Sequence, residues 1–425
     1  MSTDALDLPD VMSDTMMKDP YRGAERLRES SPVVRGMLMG AVPVWYVTRY
    51  EEAMTVLGDS RFVSNLSSVQ GSQGEDARVR MAERLGVPAE DYPYLANGML
   101  GQDAPDHTRL RKLVMRVFTV RRITDLRPRL EQIAASLVDG FADEGRADLI
   151  ARYAYPLPLT VICELMGVPE SDHGLWHGWS TGLASLQPGV MPRALHDMVS
   201  GVRDLVERRR DSPAQDVLTT LITTHDEDGD RLSVDELITF VITLMTAGHE
   251  PSAHALGNSI AELLTHPDQL ERLRREPELW KTAVDELVRR CGPTQVSVPR
   301  YAAVDVELGG VRISAGDVVQ PMLTSANYDP RRYTEPDRLD VGRRMKAPGH
   351  GHLGFGHGPH YCLGAYLAKQ QLGAALPTLF DRFPRLTLAV DPMELPWQRL
   401  PGLRRLAELP VVLDPADGAE SLPTS

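Results

Sequence analysis

The segment Phe355-Gly356-His357-Gly358-Pro359-His360-Tyr361-Cys362-Leu363-Gly364 constrains this chain more than any other, because it sets one cysteine in a glycine-rich loop that opens an apolar helix. Gly356, Gly358 and Gly364 permit a tight backbone turn and close approach to a flat ligand. A helix predicted from about Tyr361 to Phe383 places its N-terminal amides and positive dipole end beside Cys362, which favours the thiolate. The loop therefore reads as one thiolate presented to one metal. A zinc site drawn from His350, His352, His357, His360 and Cys362 is the competing reading. Structural zinc takes paired cysteines or a helical histidine pair at set spacing, and neither pattern is present.

A net charge of −13 argues against nucleic acid and against anionic membrane surfaces as general partners. Three cysteines, Cys163, Cys291 and Cys362, are too few and too odd in number for a disulfide framework and fit a reducing cytosol. Cys163 and Cys291 fall in helical contexts and read as small core residues. The stretch from Met1 to Met17 is acidic and polar, unlike a secretory leader. The longest apolar run, Leu237 to Gly248, is interrupted by threonines and is too short to span a bilayer. A soluble cytoplasmic protein without a membrane anchor is expected. Length alone suggests about three domains, but the signals interlock along the chain. The expectation is one domain over residues 1–425, with 1–18 and 414–425 as loose tails.

Pro32 to Gly40 and Val42 to Tyr50 are rich in β-branched and aromatic residues and read as a hairpin, followed by a short helix from Glu51 to Leu57. Ser64 to Gly101 lacks a clean period and reads as a candidate binding loop with a short helix inside it. From Pro105 to Val206 the pattern is helical, broken at Asp143-Glu144-Gly145, Gly167-Val168-Pro169 and Gln187-Pro188-Gly189. The acidic run Asp226 to Asp230 lacks the frame of a calcium loop and reads as a solvated turn. Ser233 and Glu236 form a capping-box pattern ahead of a long apolar-periodic helix reaching Leu264. Further helices are predicted from Pro267 and from Pro277 to Cys291. Val304 to Val319 then alternates about a Gly309-Gly310 turn, Pro330 to Pro348 meanders, and Leu386 to Leu413 has strand-like pieces. The class is mainly α with small β-sheets, α+β.

The cysteine loop resembles the haem-ligand loop of the cytochrome P450 family: the Phe, the three glycines, a basic residue two before the Cys and a Gly two after it all match. The resemblance runs from about Asp19 to Leu413, takes in Asp103-Ala104-Pro105-Asp106-His107, and is strongest to soluble bacterial, especially actinobacterial biosynthetic, members. It implies the P450 fold with a long central helix across haem b, an axial thiolate from Cys362, and a loop frame of Phe355, Gly356 and Gly364. It further implies propionate contacts from His107, Arg111, Arg300 and His360. Glu286 and Arg289, with Arg343 or Arg344 from the meander, resemble the family's Glu-x-x-Arg element, of structural role. Taken alone, such an i,i+3 pair is a common surface feature worth a few tenths of a kcal/mol, roughly.

The resemblance also implies dioxygen as co-substrate and electrons from a separate ferredoxin and ferredoxin reductase, since no reductase module is visible in the chain. Arg109, Lys112, Arg116, Arg121 and Arg122 make a local basic patch, either a solvated helix face or a docking surface for an acidic ferredoxin.

Ala247-Gly248-His249-Glu250-Pro251-Ser252 resembles the family's distal motif. The resemblance gives Ala247 and Gly248 the role of leaving room for dioxygen and Glu250 that of relaying protons. The family usually follows the acid with Thr, whereas here Pro251 stands in that place and the next hydroxyl is Ser252. Pro251 has no amide for the carbonyl of Ala247 and predicts a kink. Analogy places Gln70, Asn97, Trp179, Thr243, Leu244, Val296 and Gln398 near a substrate, with Gln73 and Trp176 as further candidates; the two tryptophans read more readily as core.

The implied function is a monooxygenase or oxidase of secondary-metabolite biosynthesis acting on a medium-sized natural product. Oxidative C–C or C–N coupling of an aromatic or cyclic-dipeptide substrate is the alternative, and a non-catalytic P450-like accessory protein is the alternative of another class. Retention of Cys362 and Glu250 argues against the last. Pro251→Thr is expected to change the product mix or the fraction of electrons that reach product, measured with a surrogate ferredoxin and reductase; identical values in both proteins would make Pro251 a structural variant only.

Overall fold

Turn chemistry and period account directly for the strands. In the computed structural model, which describes residues 20–38, 42–71, 77–185, 187–224, 229–345, 351–400 and 402–413, the expected first hairpin forms from β1 (Val33–Leu38) and β2 (Val42–Val47). The pair is antiparallel, from Val33 opposite Val47 to Leu38 opposite Val42. Pairing continues through β8 (Val318–Pro321), β5 (Arg300–Ala302) and β3 (Phe62–Val63), so the five-stranded sheet has the order β1-β2-β8-β5-β3. Its apolar face packs Val33, Val47 and Val319 with Tyr50, Val56 and Leu57 of the Tyr50–Gly58 helix. The Gly309-Gly310 turn joins β6 (Val306–Leu308) to β7 (Val311–Ile313). Both glycines have positive φ, +56° and +78°, as a two-residue hairpin turn of the twist-matched kind requires. Three short strands, β4 (Arg146–Asp148), β9 (Thr387–Leu388) and β12 (Pro410–Val412), pair in the order β4-β12-β9, and β10 (Trp397–Leu400) pairs with β11 (Leu403–Leu406).

The chain divides into two compact units. One comprises Met1–Val63, Arg129–Ala154 and Pro251–Ser425, and the other Ser64–Pro128 and Tyr155–Glu250. Every strand named above belongs to the first unit. Among the described residues the second is helical throughout, with breaks at Gly167 and Gly189 where turn signals predict them. Its segment from Ser64 to Gly101 carries two short helices, Ala77–Leu85 and Tyr92–Ala96, where one was expected. No helix among the described residues is long and apolar enough to cross a membrane. The tails expected at 1–18 and 414–425, together with Gln73, His350 and Asp226 to Asp228, lie outside the described residues.

Two helices differ from expectation in an informative way. Ser233 Oγ accepts from the Glu236 amide while Glu236 Oε2 accepts from the Ser233 amide, so the capping box starts the helix as predicted. That helix, Val234–Ala247, then stops at a two-residue turn, Gly248-His249, and a second helix, Glu250–Leu264, begins. The break falls where Pro251 cannot donate to Ala247. Placed in the first turn of the second helix, the proline sits where its missing amide is tolerated. The helix after the cysteine starts at Ala365 rather than Tyr361, because Gly358–His360 is a 3₁₀ turn and Gly364 is the N-cap.

The Trp280–Cys291 helix buries a charged cluster in the first unit. Glu286 is 0 % and Arg289 1 % exposed, and they form a bidentate pair at 2.7 and 2.9 Å. Arg343, rather than Arg344, completes the cluster with its Nε 3.0 Å from Glu286 Oε1. Arg289 also donates to the carbonyls of Asn327 (2.8 Å) and Pro336 (2.9 Å) and stacks between Tyr328 and Tyr333. Arg343 ties down the meander through the carbonyls of Thr334, Glu335 and Arg338. Glu286 and Arg289 thus form a buried hub and not a surface pair. Losing the carboxylate strands two guanidinium groups, a cost of about 3–5 kcal/mol. Glu286→Gln is therefore expected to lower the urea midpoint sharply and to deplete bound haem; an unchanged midpoint would remove the hub from the account.

Candidate active site

The cysteine loop is built against the first unit's own helices. Gly356 (φ +70°) and Gly358 (φ +71°) both adopt left-handed backbone. A Cβ on Gly358 would stand 2.4 Å from the Leu57 carbonyl oxygen, so this glycine serves close approach to the Tyr50–Gly58 helix rather than to a flat ligand. Gly364 has ordinary backbone, and a Cβ there would lie 4.0 Å from Cys362 Sγ. The Cys362 amide donates to the Phe355 carbonyl at 2.9 Å, closing the loop on itself. Cys362 is exposed, whereas Cys163 and Cys291 are buried. Burial pushes the Cys163 thiol up to about 12 and raises that of Cys291 above its usual range, which keeps both protonated. Cys362 is thus the cysteine placed to reach a bound ligand.

Hydrogen bonds connect this loop to the buried hub. Arg289 holds the Asn327 carbonyl, and Asn327 Oδ1 accepts from the Leu353 amide at 2.7 Å. The Leu353 carbonyl in turn accepts from Gly356 at 2.9 Å. A second brace uses Asp285, one residue before Glu286. Its carboxylate meets His352 Nε2 at 3.3 Å and the Lys369 ammonium from the Ala365–Arg382 helix. His352 Nδ1 accepts from the Gly354 amide at 3.1 Å, which puts its proton on Nε2. Burial holds the His352 imidazole below its ordinary range despite Asp285, and hydrogen bonds from His352 and Lys369 overcome burial to hold Asp285 low. Lys369 lies 5.6 Å from the Phe355 ring centroid. Sequence spacing alone gave no sign of this His352–Asp285–Lys369 brace.

Basic groups suited to carboxylates occur in both units. In the first, Arg300 opens β5 and is 5 % exposed, and His360 is half-buried in the 3₁₀ turn. In the second, His107 (4 % exposed) and Arg111 are four apart on the Asp106–Met115 helix and share a face. By chemical type, guanidinium and imidazole donors in both units and an exposed thiol in the first are the donor set a haem with two propionates needs, so the residues present fit that group.

At the end of the Val234–Ala247 helix, Ala247 is exposed and Gly248 half-buried, with its amide on the Leu244 carbonyl at 2.9 Å. A Cβ at Gly248 would stand 2.5 Å from that same carbonyl oxygen. Glu250 is buried and accepts a hydrogen bond from the Tyr155 hydroxyl. The Tyr155 ring packs edge-on against His177 at 4.9 Å and His249 at 4.6 Å between centroids. Tyr155 escaped sequence reading because it lies 95 residues from Glu250. Ser252 is half-buried in the next helix.

The substrate candidates separate. Asn97 and Thr243 line one cleft of about 390 Å³ in the second unit, together with Gln102, Arg109, Thr239 and Phe240. Trp179 packs its ring on the Val190–Asp211 helix, where a Cβ on Gly201 would come within 2.5 Å of it, so its indole is committed to helix packing. Trp176, 2 % exposed, is core. Gln70 is exposed and Leu244 buried, and neither lines that cleft. In the first unit Val296 packs beside Gly402, and Gln398 on β10 accepts from Arg405 Nε across the hairpin. Arg109 is paired with Asp230 and Glu236, which withdraws it from the basic patch.

Comparison with known proteins agrees with this geometry. A family model described as Cytochrome P450 matches residues 193–401. 6-Deoxyerythronolide B hydroxylase of Saccharopolyspora erythraea is 42% identical, over 96% of this chain and 99% of its own. Among solved structures, the bacillaene polyketide synthase cytochrome P450 PksS of Bacillus subtilis 168 superposes with a TM-score of 0.86 at 33% identity, covering 95% of this chain and 99% of that one. The P450 enzyme CxnD, for C–S bond formation in chuangxinmycin biosynthesis, gives 0.82 at 33% identity, covering 96% and 98%. Likeness at this level along nearly the whole length shows that this chain belongs to the cytochrome P450 family, oxidoreductases built on haem b held by a cysteine thiolate.

Proposed function

We propose that this P450 is a monooxygenase of natural-product biosynthesis, acting on a medium-sized, partly polar substrate of polyketide type. The observation that carries the site assignment is the single exposed thiol of Cys362, in a loop braced from behind by Glu286–Arg289 and Asp285–His352. In this reading Cys362 is the axial ligand, framed by Phe355, Gly356 and Gly364, and His107, Arg111, Arg300 and His360 bind the propionates. Haem, when bound, supplies dioxygen activation promoted by the thiolate. Ala247 and Gly248 leave space beside the helix break. Glu250 holds and releases a proton, with Ser252 or the substrate's own hydroxyl standing in for the family's Thr. Asn97 and Thr243 are the side chains assigned to substrate. Residues 1–425 are read as one cytoplasmic haem domain, a reading supported by relatives that cover 96% of the chain.

The substrate class rests on the relatives' names, a deoxyerythronolide hydroxylase and a polyketide-synthase P450. A second reading, oxidative coupling without oxygen retained, is favoured by Pro251 in place of Thr and by likeness to an enzyme that forms a C–S bond. Titration of the ferric protein with macrolides, aromatic polyketides and tryptophan-containing cyclic dipeptides separates the two. A saturable shift of the haem absorption with macrolides supports the first reading, a shift with cyclic dipeptides alone supports the second, and absence of a haem–thiolate spectrum overturns both.

Electrons are assigned to an acidic ferredoxin with its reductase. Lys112, Arg116 and Arg121 are exposed around an exposed Met115, a basic rim with an apolar centre. Reversing charge at Lys112 and Arg116 together should slow reduction about fivefold at low ionic strength, with the difference vanishing at high salt. Equal rates at low salt would place docking on another face.

A further inference from the structure

Glu250 is a buried carboxyl, and a proton relay needs a path from it to water. The second unit contains the start of one. The Tyr155 hydroxyl donates to Glu250 Oε1, and the same oxygen lies 3.3 Å from the hydroxyl of Thr181, an exposed residue on the His173–Ala184 helix. A phenol has one proton to give and lone pairs to receive another. With its proton directed at the carboxylate, the Tyr155 oxygen is left to accept from Thr181. Three oxygens therefore run in order from the surface of this unit to Glu250, each within hydrogen-bond reach of the next.

The surroundings hold the phenol in that alignment. Tyr155 precedes the Pro156–Met166 helix, so its backbone is anchored by that helix's first turn. Its ring is clasped edge-on by His177 and His249, themselves 6.2 Å apart between centroids. Among the described residues these two imidazoles are titratable groups packed on the phenol ring. Burial keeps His177 below its ordinary range although Glu250 acts in the opposite direction, so it stands beside the path as a neutral ring rather than a competing cation.

We propose that Tyr155 is the positioning and relay residue for Glu250, passing protons from solvent by way of Thr181. One cycle balances as follows. The Tyr155 O–H bond breaks and its proton joins the Glu250 carboxylate; the Thr181 hydroxyl proton moves to the Tyr155 oxygen; a solvent proton restores Thr181. The net change is one proton from water onto Glu250, with both hydroxyls regenerated. The inference rests on the proposed proton role of Glu250.

The test uses the haem-loaded full chain and variants Tyr155→Phe, Thr181→Val and Glu250→Gln. The infrared carboxyl band lost in Glu250→Gln identifies Glu250, and its titration is then followed in the others. Tyr155→Phe removes a hydrogen bond to the charged form, so the midpoint should rise by about one pH unit. Thr181→Val should leave the midpoint nearly in place. Both should slow ferredoxin-driven oxygen reduction about threefold or more and enlarge its solvent deuterium isotope effect. An unmoved midpoint in Tyr155→Phe with an unchanged isotope effect in both variants overturns the relay. If Tyr155→Phe folds poorly, the isotope effect in the surface variant Thr181→Val decides alone. Should Glu250→Gln itself leave oxygen reduction untouched, the role of Glu250 fails, an outcome distinct from failure of Tyr155.

Discussion

A carboxylate with no exposure to solvent, Glu286, is tolerated only because two guanidinium groups and a backbone amide converge on it, and the cysteine loop inherits its position from that convergence. Arg289 carries the constraint to Asn327, Asn327 to Leu353, and Leu353 to Gly356, whose neighbour Phe355 accepts the Cys362 amide. Desolvating three charges costs several kcal/mol per ion before their attraction returns it. The structure accepts that cost where a meander without regular hydrogen bonding must be held in one conformation. What the hub supplies is a defined address for one sulfur.

Asp285 and Glu286 show how one helix can serve two sides of a site. Successive residues on a helix point about 100° apart. Glu286 accordingly faces the meander, while Asp285 faces His352 and Lys369. The loop is gripped from two directions, and the His352 tautomer is set by the Gly354 amide rather than left to solvent. Such over-determination is what a ligand-bearing loop needs if its thiolate is to stay within a fraction of an ångström of its place.

The break at Gly248-His249 has its own local cause. An α-helix requires each amide to find a carbonyl four residues back, and Pro251 cannot. The chain answers by ending one helix and beginning another, so the proline becomes an N-terminal residue and costs little. Glu250 therefore starts a helix, where its carboxylate meets Tyr155. An imino acid at position 251 thus sets the local backbone that carries Glu250.

The family, the cysteine, the capping box, a disturbance of the helix at Pro251 and the Glu-x-x-Arg element were legible in the amino-acid order, because each depends on residue type at short spacing: a glycine where φ is positive, a missing amide, an i,i+3 charge pair. Where the substrate candidates lie was less so. Trp179 belongs to a helix interface and Gln70 does not line the cleft of Asn97 and Thr243, since side-chain direction depends on packing that no local pattern records. Choosing Arg343 over Arg344, drawing Arg109 into an ion pair, and joining Tyr155 to Glu250 or Asp285 to His352 were likewise settled by tertiary structure. Local backbone chemistry determined where this chain turns, caps and breaks; long-range burial decided which polar groups had to find each other, because a charge removed from water takes whatever partner the fold brings within reach.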